Sequence, residues 1–577
     1  MQVLRQPTNP HLHGVVDMGS NGIRFSISDL SPPTARIIPT LFQDRAGISL
    51  YDAQHEKGSS QKLPISDKVQ KDVVSCLLRF KQTCVDFGVP ATNIYVLATE
   101  ATRTAPNSEE FREKIRKATD WEVQMLSKEE EGRIGSLGIA SSLGVVEGLV
   151  MDLGGGSTQI TWMSPTAEAS RSLSFPYGAA ALTKKLEEAK NIGKGALNAL
   201  AEEMTTNFRQ AYQDLEVPAK MIEHARHNGG FDLYLSGGGF RGWGYLLMNQ
   251  SEINPYPIQI INGFKVPFPS FENTTPIEEF ATASKIATIF RVSDRRRAQA
   301  PAVAFLINVL AHALPKIKDV HFCQGGVREG FLFDKLPPEI RQQDPLVTST
   351  IPHRKHSPSS SALAHLLLHA FPDPSSPSTP PDMAPPPLFT NQFISAVANI
   401  MYAHSPATKE SRSSAALHST TTGILCSTHG LSHTHRAALA LVLYNSCAGD
   451  LPPQHESFLG RLRRILSIQE AWWCRYLGRV VALVSDIYPA GVVEMERPRV
   501  GFEARCVRGG LGKKGRLDGL VVAVRVPKGD GGVGFAELEF LKVGMKRIEK
   551  IGKRKHWVQG PGGPWGIKIE AGVEEGL

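Results

Sequence analysis

No apolar run in this chain approaches the ~20 residues that a membrane-spanning helix needs, and residues 1–13 lack the apolar stretch of a secretory signal. The expectation is a cytosolic protein without a membrane partner. Cysteine is scarce. The seven thiols (Cys76, Cys84, Cys323, Cys426, Cys447, Cys474, Cys506) are scattered, odd in number and without a Cys-x-x-Cys pair, which argues against a disulfide framework and a zinc ribbon. No Gly-x-x-x-x-Gly-Lys-Ser/Thr loop occurs, so a P-loop nucleotide site is excluded. The excess of positive charge is modest, +8 in 577 residues. Most of it sits after residue 500, where Lys546-Arg547 and Lys553-Arg554-Lys555 read as a solvated face, and nucleic acid is not an expected partner.

What the chain does have is a repeated turn. Val15-Val16-Asp17-Met18-Gly19-Ser20-Asn21-Gly22-Ile23-Arg24 and Val150-Met151-Asp152-Leu153-Gly154-Gly155-Gly156-Ser157-Thr158-Gln159 each run from apolar residues through Asp-x-Gly and a Gly/Ser turn into a second alternating run. Each reads as a β-hairpin. Together they read as a duplicated phosphate clamp, in which glycines let the backbone approach, free N–H groups bind phosphate oxygens and a strand-end aspartate holds a metal or a water. A third turn, Leu235-Ser236-Gly237-Gly238-Gly239-Phe240, suits close approach to a ribose or base, or is a plain strand-to-helix turn. The spacing suggests two similar lobes across a cleft.

Length allows three or four domains. Residues 1–148 alternate strands with helices (66–88, 108–117) and form a first α/β lobe; residues 149–350 repeat the pattern, with helices expected over 178–215 and 276–290, and form a second. Residues 351–388 are Pro/Ser-rich and read as a linker with one short helix over 362–371. Residues 389–490 are helical by periodicity, and residues 491–577 read as a small β domain with strands at 501–507, 519–526, 535–541 and 567–570.

The two turns, together with Leu97-Ala98-Thr99-Glu100-Ala101-Thr102-Arg103, Leu126-Ser127-Lys128-Glu129-Glu130-Glu131-Gly132-Arg133-Ile134 and Gly325-Gly326-Val327-Arg328-Glu329-Gly330, resemble the exopolyphosphatase/guanosine pentaphosphate phosphatase (Ppx/GppA) family. The resemblance implies the two-lobed actin, Hsp70 and sugar-kinase fold, a ribonuclease H-like duplication. Within the family, the C-terminal half and several departures look most like a fungal branch that acts in retrograde, mitochondria-to-nucleus signalling. The resemblance implies a ligand rich in phosphate (polyphosphate, guanosine pentaphosphate or ATP), a protein partner in signalling, and leaves a homodimer open.

The phosphoryl group's charge must be neutralised and a water held in line. Gly19, Ser20 and Asn21 on one side and Gly154, Gly155, Gly156, Ser157 and Thr158 on the other supply donors, with Gly237 and Gly238 beside them. Asp17 and Asp152 are placed to hold Mg²⁺, a hard cation suited to oxygen ligands. Arg24 is either a phosphate ligand or half of a surface ion pair. The resemblance assigns Arg103 to the phosphate chain and Glu131 to the water, as general base, while Glu130 reads as a capping residue for Ser127. Two departures bear on activity: Lys128 stands where the family has Gly, and Gln159 where it has Glu. Losing a carboxylate at 159 should spare phosphate binding and slow hydrolysis. The sequence also contains no His-Asp dipeptide, so a second hydrolase centre in the helical region is not expected, and the cluster of Cys426, His429, His433 and His435, which could bind zinc, reads better as solvent-exposed or helix-capping histidines.

Overall fold

The computed structural model describes residues 7–54, 62–165, 171–283, 288–447, 451–512, 515–527 and 535–576. The chain falls into two compact units. The first comprises residues up to Asn254 with Ile260–Gln343 and His429–Leu431; the second comprises Pro255–Gln259, Asp344–Thr428 and the chain from Ser432 onward.

In the first unit, β1 (Leu12–Gly19), β2 (Gly22–Asp29), β3 (Thr40–Ala46), β4 (Ile94–Ala98) and β5 (Val123–Met125) form one sheet in the order β3-β2-β1-β4-β5. A second sheet holds β6 (Gly148–Leu153), β7 (Thr158–Met163), β8 (Leu173–Phe175), β9 (Phe231–Ser236), β10 (Phe264–Pro267) and β11 (Ile317–Phe322), ordered β10-β11-β9-β6-β7-β8. Apart from β10 on its edge, the second sheet repeats the first. Each has three antiparallel strands in sequence, then two strands added parallel to the first of them. This is the duplicated topology that the paired turns suggested.

The apolar alternation of β1 and β2 fills one core against helices Asp67–Phe87 and Ser108–Thr119, where Leu77, Phe80, Phe111 and Ile115 are buried. A second core joins the lobes: Ile134 and Leu137 of helix Lys128–Ser141 pack with Leu332 and Phe333 of helix Val327–Lys335. These helices meet backbone to backbone. A Cβ at Gly330 would strike the Ile134 carbonyl, and one at Gly138 would strike Gly326, which gives the Gly325–Gly330 motif a packing role.

Some expectations need correction. The helix expected over 178–215 is two, Ala179–Ile192 and Lys194–Asp214, because Gly193 (φ +128°) lies in a conformation that other residues rarely adopt. The one expected over 276–290 ends at Thr282; residues 284–287 lie outside the described residues.

From Asp344 onward all but His429–Leu431 belongs to the second unit, a packed, mostly helical body with a sheet of β12 (Gly501–Leu511), β13 (Leu517–Val526) and β14 (Lys568–Glu575). The Pro/Ser-rich stretch is not a free linker. It contains helix Ser360–His369, with Leu363 and Leu367 fully buried, and Met383 beyond it is 6% exposed. Few apolar residues suffice when each is seated against an existing core. The strand expected at 535–541 is the start of helix Phe535–Ile551: Leu541, Met545, Ile548 and Ile551 are buried at helical spacing, a period that a short window of alternation hides. Trp472 and Trp473 are core residues, fully buried with Tyr476. No helix among the described residues is long and apolar enough to cross a membrane.

Candidate functional site

Both glycine turns open on the same cleft. In the first, Gly19 pairs with Gly22, so Ser20 and Asn21 alone make the turn. In the second, Leu153 pairs with Thr158, and Gly154 to Ser157 form a four-residue loop closed by a Gly154 N–H to Ser157 carbonyl bond of 3.0 Å. The first amides of helix Ala179–Ile192, with that of Gly178 before it, donate to the Gly154, Gly155 and Gly156 carbonyls. This engages the loop's acceptors, while the amides of Gly155 and Gly156 have no hydrogen-bond partner among the described residues. An anion is the natural complement of such amides.

Asp17, Gly19, Ser20, Asn21, Arg24, Glu131, Asp152, Gly154, Gly155, Gly156, Ser157, Gly237 and Gly238 all line one cavity of about 140 Å³. Two expected ligands do not line it. Thr158 points into the protein and donates its hydroxyl to the Tyr177 carbonyl at 2.9 Å. Arg103 donates to the Leu126 carbonyl and pairs with Glu131 at 3.4 Å. In this arrangement its charge is spent on the carboxylate that it was expected to accompany.

Glu131 lies in the first turn of helix Lys128–Ser141, whose start is capped by Ser127 accepting from the Glu130 amide at 3.1 Å. Burial raises the Glu131 carboxyl to about 7; Arg103 opposes this, while Glu100, Asp152 and Asp17 add to it. A carboxyl poised there exchanges protons readily at neutral pH. Burial also raises Asp152, against the pull of Arg241.

The register makes the two aspartates unlike. Asp17 stands opposite Arg24 and pairs with it at 3.5 Å, whereas Asp152 stands opposite Gln159, which donates its amide to Ser157 Oγ at 2.9 Å. Two carboxylates and an amide bordering one desolvated cavity form a hard-oxygen donor set that fits a divalent cation.

Sequence reasoning missed the cations that complete the cleft: Arg45, Arg241, Arg295 and Arg296. They crowd one another. Burial, with Arg24 and Arg296 nearby, pushes Arg241 down to about 10, and burial with Arg24 and Arg295 lowers Arg45. Such crowding is relieved by a polyanion. Arg295, in the first turn of helix Asp294–Ala313 in the second lobe, reaches the first lobe: it donates to Asn21 Oδ1, lies 3.5 Å from Ser49 Oγ and pairs with Asp52 at 3.3 Å. The lobes touch again at the loop itself. A Cβ on Gly155 would collide with the Asn21 side chain, and one on Gly156 would lie 2.5 Å from Glu100 Oε2. A visible signal existed for Arg295 and Arg296, a run of three arginines opening a helix; Arg45 and Arg241 had none.

Cys426, His429, His433 and His435 assemble no metal site, and no group of three or more such ligands occurs among the described residues. His429 bonds Ser141 Oγ at 2.9 Å and His433 bonds the Tyr256 hydroxyl at 2.9 Å.

Residues 29–339 match the Ppx/GppA phosphatase family and residues 344–576 match the RTG2 C-terminal domain. The chain is 38% identical over 498 residues to retrograde regulation protein 2 of Saccharomyces cerevisiae, covering 83% of this chain and 82% of that protein. It is 28% identical over 177 residues to exopolyphosphatase 1 of Mycobacterium tuberculosis, a match that spans 30% of this chain and 48% of the bacterial protein. Among solved structures, a Ppx/GppA family member from Aquifex aeolicus aligns with 56% of this chain and 97% of its own, at 20% identity and a TM-score of 0.43. By the family-model match over residues 29–339 and the likeness to the yeast protein, the chain belongs to the Ppx/GppA phosphatase family, with an RTG2-type C-terminal domain.

Proposed function

We propose that this protein is a cytosolic regulator of retrograde signalling whose cleft binds a phosphate-rich anion with Mg²⁺ and passes its occupancy to a protein partner, hydrolysing the ligand slowly at most. The observation that carries the reading is the cleft's composition: among the described residues, glycine-loop amides without a hydrogen-bond partner and five arginines surround one cavity whose lining includes no aromatic ring. Val327 is the one large apolar side chain among the described lining residues, so a phosphate chain is better accommodated than a purine. Likeness to retrograde regulation protein 2 supports the regulatory role.

The cleft residues divide the work. The Gly155 and Gly156 amides and the Ser157 hydroxyl take the terminal phosphate, and Arg24, Arg241 and Arg296 neutralise the oxygens further along the chain. Asp152, with Asp17 and the Gln159 carbonyl oxygen, would hold Mg²⁺, which supplies further neutralisation of the phosphoryl oxygens. Glu131 accepts a proton from the attacking water only when ionised, so any turnover should rise with pH through about 7.

A second reading, an active exopolyphosphatase or guanosine pentaphosphate phosphatase, is favoured by that same poised carboxyl. Phosphate release from long-chain polyphosphate, guanosine pentaphosphate and ATP with Mg²⁺, beside a Glu131→Gln control, separates the two. Release that depends on Glu131 at ordinary enzymatic rates establishes the second reading; tight binding with little or no release supports the first, and absence of binding overturns both.

A further inference from the structure

The second unit contains its own cavity, about 670 Å³ in volume, within the ~300–1,000 Å³ range of small-molecule sites. Its walls include two half-buried tryptophans, Trp557 and Trp565, with Met383 and Ile567 as apolar floor. The indoles are held in place. Val558 and Trp565 exchange two backbone hydrogen bonds of 2.9 Å, an isolated bridge that fixes the two segments carrying the rings. Trp557 donates its Nε1 to the Gly552 carbonyl at 3.3 Å, and Trp565 stands edge-on to buried Trp472, 5.8 Å between centroids. Gly566 is packed so closely on Trp557 that a Cβ there would lie 2.5 Å from the ring. Rings anchored in this way, yet left half-exposed, present a flat apolar face at little entropic cost.

The cavity also carries charge. Lys553, Arg554 and Lys568 border the same cavity. The ion pairs in this part of the chain join Arg525 to Glu503, Lys542 to Glu539 and Arg547 to Asp486, and none among the described residues engages those three cations. Of the two acids on the lining, Asp518 already accepts the Gly509 amide at 2.6 Å, and Asp382 is exposed. Three unpaired cations beside two fixed indole faces complement a molecule that is flat at one end and anionic at the other.

We propose that this cavity is a second ligand site, for a small planar anion of the nucleoside phosphate class, its base stacked on Trp557 and Trp565 and its phosphates on Lys553, Arg554 and Lys568. The assignment does not depend on what the phosphate cleft binds. Among the described residues that cleft has no ring platform, whereas this cavity has two indoles beside its cations, so a base distinguishes the ligand of this site from that of the cleft.

The test is calorimetric titration of the full chain with ATP and with GTP, in buffer holding saturating tripolyphosphate and Mg²⁺ to fill the phosphate cleft. One nucleotide per chain should still bind. The double variant Lys553→Glu/Lys568→Glu, which changes two side chains without touching the core, should weaken that binding at least tenfold, and Trp557→Leu should do the same, while Asp152→Ala should leave it within twofold. Full displacement of nucleotide by tripolyphosphate, wild-type affinity in both the charge and the indole variants, or no nucleotide binding at all would overturn the proposal. So would binding of an acidic, tryptophan-containing peptide in place of the nucleotides. Titration with tripolyphosphate alone reports separately on the cleft.

Discussion

The two halves of the duplicated first unit use one topology for unequal ends. Their sheets share strand order, and each places an aspartate near the end of its first strand, opposite a residue of the second. In the first lobe that partner is Arg24, and the aspartate is paired. In the second it is Gln159, which turns its amide to Ser157 and leaves Asp152 without an ion pair among the described residues. The turns differ as well, two residues against four, and only the longer one is braced by the start of a helix. A repeated backbone thus yields one half whose aspartate is paired across its hairpin and another whose aspartate is buried beside Ser236 and Arg241 instead. Symmetry of fold does not imply symmetry of charge, and one register position on each hairpin decides which half does what.

That contrast can be broken most severely at the loop. Gly156→Val should abolish tripolyphosphate binding, a loss of at least about 100-fold, because the added carbons meet the Glu100 carboxylate and stand beside the loop amides that an anion would approach; titration calorimetry measures it, and circular dichroism checks that the fold survives. Making the second lobe resemble the first comes next. Gln159→Arg should let Asp152 pair as Asp17 does with Arg24, cutting Mg²⁺-dependent affinity about 10- to 100-fold; unchanged affinity would show that Asp152 holds no cation.

Glu131→Gln is expected to keep ligand affinity within about threefold while removing any turnover. It should also change stability with a definite sign. The folded-state carboxyl is raised to about 7, so the folded chain binds a proton that the unfolded chain has released between about pH 4.5 and 7, and stability falls as pH rises through that window. The amide escapes this loss. Glu131→Gln should therefore be more heat-stable than wild type at pH 8, by about 1 kcal/mol, an advantage that shrinks toward pH 5. The smallest effect is expected from Gln159→Glu, which should raise phosphate release severalfold if the amide limits the chemistry.

How much of this was legible in the sequence follows from how local each signal is. The Asp-x-Gly turns, the helix start at Ser127 and the closing glycine motif each lie within about ten consecutive residues, and the duplicated sheets could be expected from them. Arg45 on β3 and Arg241 on a helix after β9 enter the cleft from elements far apart in sequence, and nothing near either residue marks it. Thr158 failed as a ligand for a different reason. Strand alternation turns it away from the cleft that Ser157 lines, a parity that a motif match does not resolve. The helix Phe535–Ile551 was hidden because Ala536, Leu538 and Phe540 alternate with Glu537 and Glu539 in a short window before the longer period declares itself.

Arg295 deserves its own consequence. One side chain of the second lobe engages Asn21, Ser49 and Asp52 of the first, directly over the loop where the lobes already touch. Separating the lobes would break all three contacts of that one side chain, so a single residue joins lobe closure to the lining of the anion cleft, and replacing it would loosen the closure without altering the glycine loop.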